Sequence, residues 1–151
     1  MSQVSTVAVR ADAAQAERSS TSVGAAYDGG PGTVGAARRF TTSFLAGAEA
    51  EGCPVSPRVA DDVCLIVSEL VTNAAKYAPG PCLLDLELTE DAVRVTLWDT
   101  EPVAPVPRGA DAHRIGQHGM EIVLALCRRF EVERQSGGKR IQVDVPRRPQ
   151  D

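Results

Sequence analysis

Residues 56–78, SPRVADDVCLIVSELVTNAAKYA, carry the pattern that most restricts the fold, because their apolar spacing predicts a long amphipathic helix. Ser56 is a favourable N-cap, and Pro57 fits the first helical position. Pro79 and Gly80 end the segment. A helix of this kind buries one face, so the rest of the chain has to supply a layer that covers it.

Two polar residues interrupt the apolar part of this helix. Glu69 and Asn73 lie four residues apart, roughly one helical turn, so their carboxylate and amide groups share one stripe. One interpretation puts that stripe at the edge of the apolar face, with both groups in water. The other puts it over a ligand, because a carboxylate can take a proton from an attacking hydroxyl and an amide oxygen is a suitable Mg²⁺ ligand.

Residues 82–100, CLLDLELTEDAVRVTLWDT, alternate between apolar and polar side chains on both sides of a TED turn. This period predicts two half-buried strands in an antiparallel hairpin. Asp99 falls on the same inward face as three apolar residues of the second strand, Val93, Val95 and Leu97. An acid there is either a cap on the next turn or a ligand contact, since a carboxylate can accept a hydrogen bond from the amino group of adenine.

The remaining boundaries follow from composition and from start and stop signals. Residues 1–19 predict a flexible N-terminal tail, residues 20–146 the folded domain, and residues 147–151 a C-terminal tail. Within the domain, TSVGAAY at 21–27 predicts a short edge strand. Thr33 is the expected N-cap of a first helix that ends at a glycine.

Residues 101–119, EPVAPVPRGADAHRIGQHG, contain three prolines and three glycines and no apolar period. A loop of this length inside a compact domain is often functional, so we expect a lid. Gly116 and Gly119 lie directly before a third helix, predicted over 120–130, and permit close backbone approach. The start of a helix attracts phosphate, although an ordinary loop glycine before a helix is the alternative interpretation.

Residues 131–146 predict a second hairpin, which turns at Gly137 and Gly138. Lys139 and Arg140 follow the turn and are expected to form its solvated end, with a phosphate contact as the alternative. Because strands come in antiparallel pairs and helices are grouped, the element order predicts an α/β fold. Its expected form is a two-layer α/β sandwich, in which a mixed, mostly antiparallel sheet is covered on one face by helices.

The composition narrows the classes of function. The net charge of −4 argues against nucleic-acid binding, and no apolar run is long enough to span a membrane. The N-terminus lacks the continuous apolar core of a secretory signal, so a cytoplasmic protein is expected. None of the four cysteines is paired at two-residue spacing, which favours reduced thiols in or near the core over a zinc ribbon.

Four segments in this order resemble the Bergerat-type (GHKL) ATP-binding fold of histidine kinases, gyrase and MutL. SELVTNAAKYA is similar to the N-box of that family, WDT to its first adenine box, and GQHGMEIVLAL to its second glycine box. AARRFTTSFL resembles its first helix. Within the family, the chain is most similar to the small anti-sigma-factor serine kinases and their actinobacterial ATP-binding relatives.

The resemblance implies a role for particular residues. Glu69 would be the general base, and Asn73 would ligate the Mg²⁺ that bridges the phosphates of ATP. Asp99 would receive the amino group of adenine. The other implied nucleotide contacts are Lys76, Gly116, His118, Gly119 and Met120. The implied partners are a sigma factor, an anti-anti-sigma protein, or both, and the relatives usually form homodimers.

Two departures from the family pattern are visible. The adenine box usually continues Asp-x-Gly, whereas this chain has Asp99, Thr100 and Glu101. Arg140 stands where relatives often carry threonine. The intact Glu69 favours a serine/threonine kinase that acts on a small antagonist protein. The altered adenine box favours a nucleotide-gated module that binds a protein without phosphoryl transfer, and an α/β domain without ligand is the third possibility.

Overall fold

The computed structural model describes residues 4–10, 21–100 and 113–147. These residues form three helices and six strands. In chain order the elements are β1 (Val4–Arg10), β2 (Thr21–Tyr27), α1 (Thr33–Ala50), α2 (Pro57–Tyr77), β3 (Cys82–Leu88), β4 (Ala92–Asp99), α3 (His113–Leu126), β5 (Arg129–Gln135) and β6 (Gly138–Pro146).

The six strands form one sheet in the order β1-β2-β3-β4-β6-β5, and each neighbouring pair is antiparallel. The helices pack on the face that carries the apolar residues of the alternating pattern. The two-layer α/β fold is therefore confirmed. The expectation of a mixed sheet is corrected, because the described strands contain no parallel pair.

The core lies between α2 and the centre of the sheet. Register places Leu84 opposite Leu97, and Leu97 opposite Ile141, so apolar side chains of β3, β4 and β6 line one continuous inner face. Ile66 and Leu70 of α2 are fully buried in the same cluster. Burying side chains of this size contributes about 1.5–3 kcal/mol each, so this contact holds α2 against the strands.

The predicted start of α2 is confirmed, and that of α1 is wrong. Ser56 caps α2, since its hydroxyl accepts a hydrogen bond from the amide of Val59 at 3.2 Å, and Pro57 is the first helical residue. In α1 the capping position belongs to Gly32, which has no side chain to donate or accept. Thr33 is already helical and buried, so its hydroxyl faces the interior rather than the first turn.

The N-terminal segment also differs from expectation. Residues Val4–Arg10, part of the predicted tail over 1–19, form β1 and pair with β2. As a consequence β2 is not an edge strand. The backbone groups along the open side of β2 need hydrogen-bond partners, and a chain that can reach them gains a ladder without a strong side-chain pattern.

The third helix begins at His113, well before the expected start at Met120, and ends at Leu126. Gly116 therefore lies in its first turn and Gly119 in its second, rather than in a loop before it. Packing against α2 outweighs the weak helix propensity of glycine here. Of the predicted lid, residues 101–112, including Glu101, lie outside the described residues, as do residues 148–151 of the C-terminal tail.

The outer face of the sheet is polar and held by ion pairs. Arg94 of β4 donates from Nε and Nη2 to the two carboxylate oxygens of Asp144 in β6, at 2.8 and 3.1 Å. Ser22 of β2 donates to Asp85 of β3 at 2.9 Å. Because Arg94 alternates with Val93 and Val95, this network lies on the side of the sheet away from the helices.

The turn after β2 and the turn after α2 are in close contact. Gly29 has a positive φ of 84°, and a Cβ built on it would overlap the carbonyl oxygen of Gly80. A Cβ on Gly80 would in turn lie 3.6 Å from Oγ1 of Thr100. These contacts place the C-terminal end of α2 beside the end of β4.

We expect Gly29→Ala to destabilise the fold more than Gly52→Ala. Both positions have φ of 84°, which costs an alanine about 1–2 kcal/mol, but nothing lies within 4 Å of a Cβ at Gly52. Alanine at position 29 also has to displace the backbone at Gly80, which adds about 1–3 kcal/mol. Urea titration measures the free energy of unfolding of both variants. Equal losses would show that the contact between Gly29 and Gly80 is not tight in solution.

Candidate functional site

Four polar or titratable side chains lie in a row across one end of the sheet, on the face towards the helices. We call Tyr27, Cys82, Asp99 and Lys139 the end row. Tyr27 pairs with Cys82, Asp99 pairs with Lys139, and the register of β3 with β4 puts Cys82 next to Asp99. All four are buried. The inner face of the sheet thus changes from apolar to polar at this end.

The central contact of the end row is an ion pair. Lys139 Nζ donates to Asp99 Oδ2 at 2.7 Å, with only 4% and 1% of the two side chains exposed. Removing a carboxylate and an ammonium from water costs several kcal/mol each, which their mutual attraction has to offset. The pairing confirms that Asp99 faces inward. The expectation that Lys139 forms a solvated hairpin end is wrong.

The sequence did contain a signal for Lys139. In GKRIQVDV the alternation puts Lys139 on the same face as the buried Ile141 and Val143. Its neighbour Arg140 therefore points to the other face, where its Nη2 lies 3.0 Å from a carboxylate oxygen of Glu133. Gly138 precedes the pair, and a Cβ there would overlap the carbonyl oxygen of Asp99. Glycine at this position allows β6 to approach the end of β4.

Burial raises the pKa values of the other two members of the end row. The pKa of the Cys82 thiol is raised to about 11, first by burial and then by the nearby carboxylates of Asp99 and Asp28. The pKa of Tyr27 is raised to about 12 by burial and by Cys82, while Arg39 opposes the rise. Cys82 is therefore a protonated thiol at neutral pH. All four cysteines are free and at least partly buried, as predicted.

On α2, the structure places Glu69 and Asn73 as the helical spacing predicts. Asn73 is buried, with 7% of its surface exposed, and Glu69 is half-buried. The side chain of Asn73 is thus largely covered, whereas that of Glu69 is partly exposed. Within the described residues, neither side chain has a hydrogen bond or an ion pair. The amide atoms of Asn73 are not among the fully buried side-chain atoms that lack a hydrogen-bond partner, so the amide keeps some exposure and can bind a ligand.

The third helix lies directly over Glu69. Gly119 and Met120 are buried, and a Cβ on Gly119 would overlap Oε1 of Glu69. The structure therefore brings Gly119 to the carboxylate, and the absent side chain leaves room for it. Gly116 and His118 belong to the same helix, but their surroundings lie outside what the structure describes.

Lys76 is exposed in the last turn of α2, one turn beyond Asn73. The contact between Gly80 and Thr100 puts this end of α2 beside Asp99. Asn73 and Glu69 thus lie on the C-terminal half of a helix whose end is near the buried acid–ammonium pair. Such groups suit a phosphate-bearing ligand with a hydrogen-bonding ring.

The described residues lack both a metal-binding cluster and a membrane-spanning helix. They contain no group of three or more His, Cys, Asp and Glu side chains arranged to hold a metal ion. No described helix has the length and apolarity needed to cross a membrane.

An open antiparallel sheet, a covering helix with a polar stripe, and a buried acid at the end of a central strand together define an ATP-binding domain of the Bergerat type. The family described as the histidine kinase-like ATPase domain matches residues 29–145. The chain belongs to this family, which confirms the fold expected from the resemblance. Membership implies ATP binding.

Among solved structures, the chain is similar to the histidine kinase domain of a blue-light activated histidine kinase from Erythrobacter litoralis EL346. The two share 24% identity with a TM-score of 0.39, over 58% of this chain and 47% of the other. The matched region thus spans about half of that kinase domain. Comparison with curated proteins found no match.

The raised pKa of Cys82 predicts a loss of stability in alkali. The folded state holds the thiol proton up to about pH 11, whereas the unfolded chain releases it near pH 9.0. Stability from this group is therefore full below pH 9 and falls by about 1–3 kcal/mol as the pH rises to 11. Urea unfolding at both ends of this window, compared with Cys82→Ala, measures it. If the free energy of unfolding fell equally steeply with pH in Cys82→Ala, the result would contradict the burial of this thiol.

Proposed function

We propose that this domain binds Mg²⁺-ATP and transfers its γ-phosphoryl group to a serine or threonine hydroxyl of a small antagonist protein, while it sequesters a transcription regulator. The observation that carries the proposal is the stripe of Glu69 and Asn73 on α2. Both groups keep hydrogen-bonding capacity that no described residue uses. The nearness of Gly80, which follows α2, to Thr100, which follows Asp99, supports a site that both groups share with the buried acid.

The adenine ring belongs at the end row in this proposal. The carboxylate of Asp99 can accept a hydrogen bond from the amino group of adenine, and a carboxylate has room for about four such interactions. The sugar and phosphates would then extend along the C-terminal half of α2 towards α3. Lys76, Gly116, His118, Gly119 and Met120 remain the expected nucleotide contacts along that path.

Asn73 is suited to hold Mg²⁺, because its amide oxygen is a neutral, hard donor in a buried position without a described partner. When bound, the ion neutralises charge that develops on the phosphates. Asn73 therefore fixes the polyphosphate relative to Glu69, one turn away on the same helix.

Glu69 is the proposed general base. Its carboxylate would take the proton of the substrate hydroxyl as the hydroxyl oxygen bonds to the γ-phosphorus, and the bond from that phosphorus to the bridging oxygen of ADP breaks. The carboxylate occupies the space that a side chain at Gly119 would fill, so α3 borders the proposed base on that side. A base positioned in this way contributes about 10²–10⁴ to the rate.

The proposed partners are a sigma factor or a similar transcription regulator, which the domain would sequester, and an anti-anti-sigma protein as phosphate acceptor. They rest on the likeness of SELVTNAAKYA and GQHGMEIVLAL to the small anti-sigma-factor kinases. Homodimer formation is proposed on the same basis. The antagonist is expected to present a serine or threonine on an exposed segment that can reach the phosphate end of the site.

A nucleotide-gated binding module without phosphoryl transfer is the second candidate. The observation that favours it is the altered adenine box, in which Glu101 stands where the family usually has glycine. Nucleotide exchange would then alter the grip on a protein partner, but the hydroxyl of that partner would not be phosphorylated.

The variant Glu69→Gln separates these two functions. If the domain is a kinase, the variant should bind Mg²⁺-ATP with nearly unchanged affinity and lose phosphoryl transfer about 10²–10⁴-fold, because only the base is removed. Calorimetry measures binding, and γ-labelled ATP with candidate antagonist proteins measures transfer. Asn73→Asp is the matched comparison, since it adds charge at the metal position and should change nucleotide binding itself.

If neither wild type nor Glu69→Gln labels a partner, while both release it equally on addition of ATP, the binding module stands and the kinase does not. No heat or thermal shift with millimolar Mg²⁺-ATP would contradict both.

Gly119→Ala tests the position of the base without removing it. The new methyl group has to displace the Glu69 carboxylate, so we expect transfer at saturating ATP to fall about tenfold or more, beyond any loss of ATP affinity. In the Glu69→Gln background the same change should have little further effect, because the two substitutions act on one group. Gly47→Ala in α1, where nothing lies within 4 Å of a Cβ, serves as control. A full loss in both backgrounds would show that Gly119 acts independently of Glu69.

A further inference from the structure

The ion pair of the end row offers a hydrogen-bond donor as well as an acceptor at one place. Lys139 Nζ lies 2.7 Å from Asp99 Oδ2, and both side chains are almost completely buried. Their strands are held in register here, because Gly138 lets β6 lie against the backbone of Asp99. The backbone positions of Asp99 and Lys139 are therefore set by the sheet, not by a flexible loop.

Stability alone is a weak reason for this pair. A buried ion pair often contributes no more than apolar side chains of similar volume would. The other strong pair between β4 and β6, Arg94 with Asp144, lies on the outer face, and 31% of the arginine side chain stays exposed. Lys139 instead gives up nearly all of its hydration at the end of the sheet where the nucleotide base is proposed to lie.

Adenine has the complementary pattern along one edge. Its amino group is a donor and lies next to ring nitrogens that are acceptors. A carboxylate and an ammonium in contact match a donor and an acceptor in contact, so both groups of the pair can bind one base. Guanine places an oxygen acceptor where adenine has its amino group, and in the same orientation that oxygen would face the carboxylate.

We propose that Lys139 is a base-reading residue, which donates to a ring nitrogen next to the adenine amino group while Asp99 accepts from that amino group. This inference rests on the proposed ATP site and adds a second specificity-determining side chain to it. The adenine box departs from the family pattern after Asp99, and Lys139 on the neighbouring strand β6 would supply a further contact to the base.

The test is a double-variant cycle, in which Lys139 is changed in the protein and single ring nitrogens are changed in the nucleotide. Lys139→Met removes the donor and keeps the length of the side chain. Affinities are measured by calorimetry for ATP, 1-deaza-ATP, 7-deaza-ATP and GTP. For the wild-type protein, we expect one of the two deaza analogues to bind about tenfold or more weakly than ATP. Lys139→Met should lose about the same factor for ATP but nothing further for that analogue.

Arg94→Met is the matched control. It also removes a cation that bridges β4 and β6, but on the outer face, so it should lower stability without changing the order of affinities among the four nucleotides. Because Lys139→Met leaves the Asp99 carboxylate buried without this partner, its folding is checked by circular dichroism. If it does not fold, Lys139→Arg keeps the ion pair, moves the donors, and should shrink the difference between ATP and the sensitive analogue.

The failures are distinguishable. If the wild-type protein binds ATP and both deaza analogues equally well, or if Lys139→Met weakens every nucleotide by one factor, the base-reading role is overturned while the ATP site stands. If the wild-type protein binds none of these nucleotides, the proposed function is overturned and the role of Lys139 with it.

Discussion

The inner face of the sheet is apolar along most of its area and polar at one end, and the position of every candidate functional group depends on that change. The apolar part fixes α2, because Ile66 and Leu70 are buried in the same cluster as the inner residues of β4 and β6. Once the helix is held there, its register determines what lies beyond the apolar contact. Asn73 and Glu69 fall on the stripe next to the core, and the end of the helix lies beside Asp99.

The polar groups reach their positions by close backbone contacts rather than by long side chains. Gly119 allows α3 to lie against the carboxylate of Glu69, and Gly138 allows β6 to lie against Asp99. The free energy that the buried ion pair costs is offset by burial of the apolar core. A bound nucleotide would recover part of that cost by supplying hydrogen-bond partners.

Much of this arrangement was predictable from periodicity. Helical spacing placed Asn73 on an inner stripe, and alternation along β4 placed Asp99 inward. The ion pair of Asp99 with Lys139 was harder to predict, because the two residues lie 40 positions apart and meet only if β6 lies beside β4. β1 and the early start of α3 were missed because their formation depends on partners elsewhere in the fold, namely the open side of β2 and the surface of α2, and local propensity carries little of that information.

The central claim is that one end of the sheet and the C-terminal half of α2 form a single purine nucleotide site. Amide chemical shifts of the ¹⁵N-labelled protein during titration with Mg²⁺-ATP test it most directly. We predict saturable changes at Asn73, Asp99, Gly119 and Lys139, with little change at Arg94 and Glu131 on the outer part of the sheet. Changes confined to the outer face, or none at millimolar nucleotide, would contradict it.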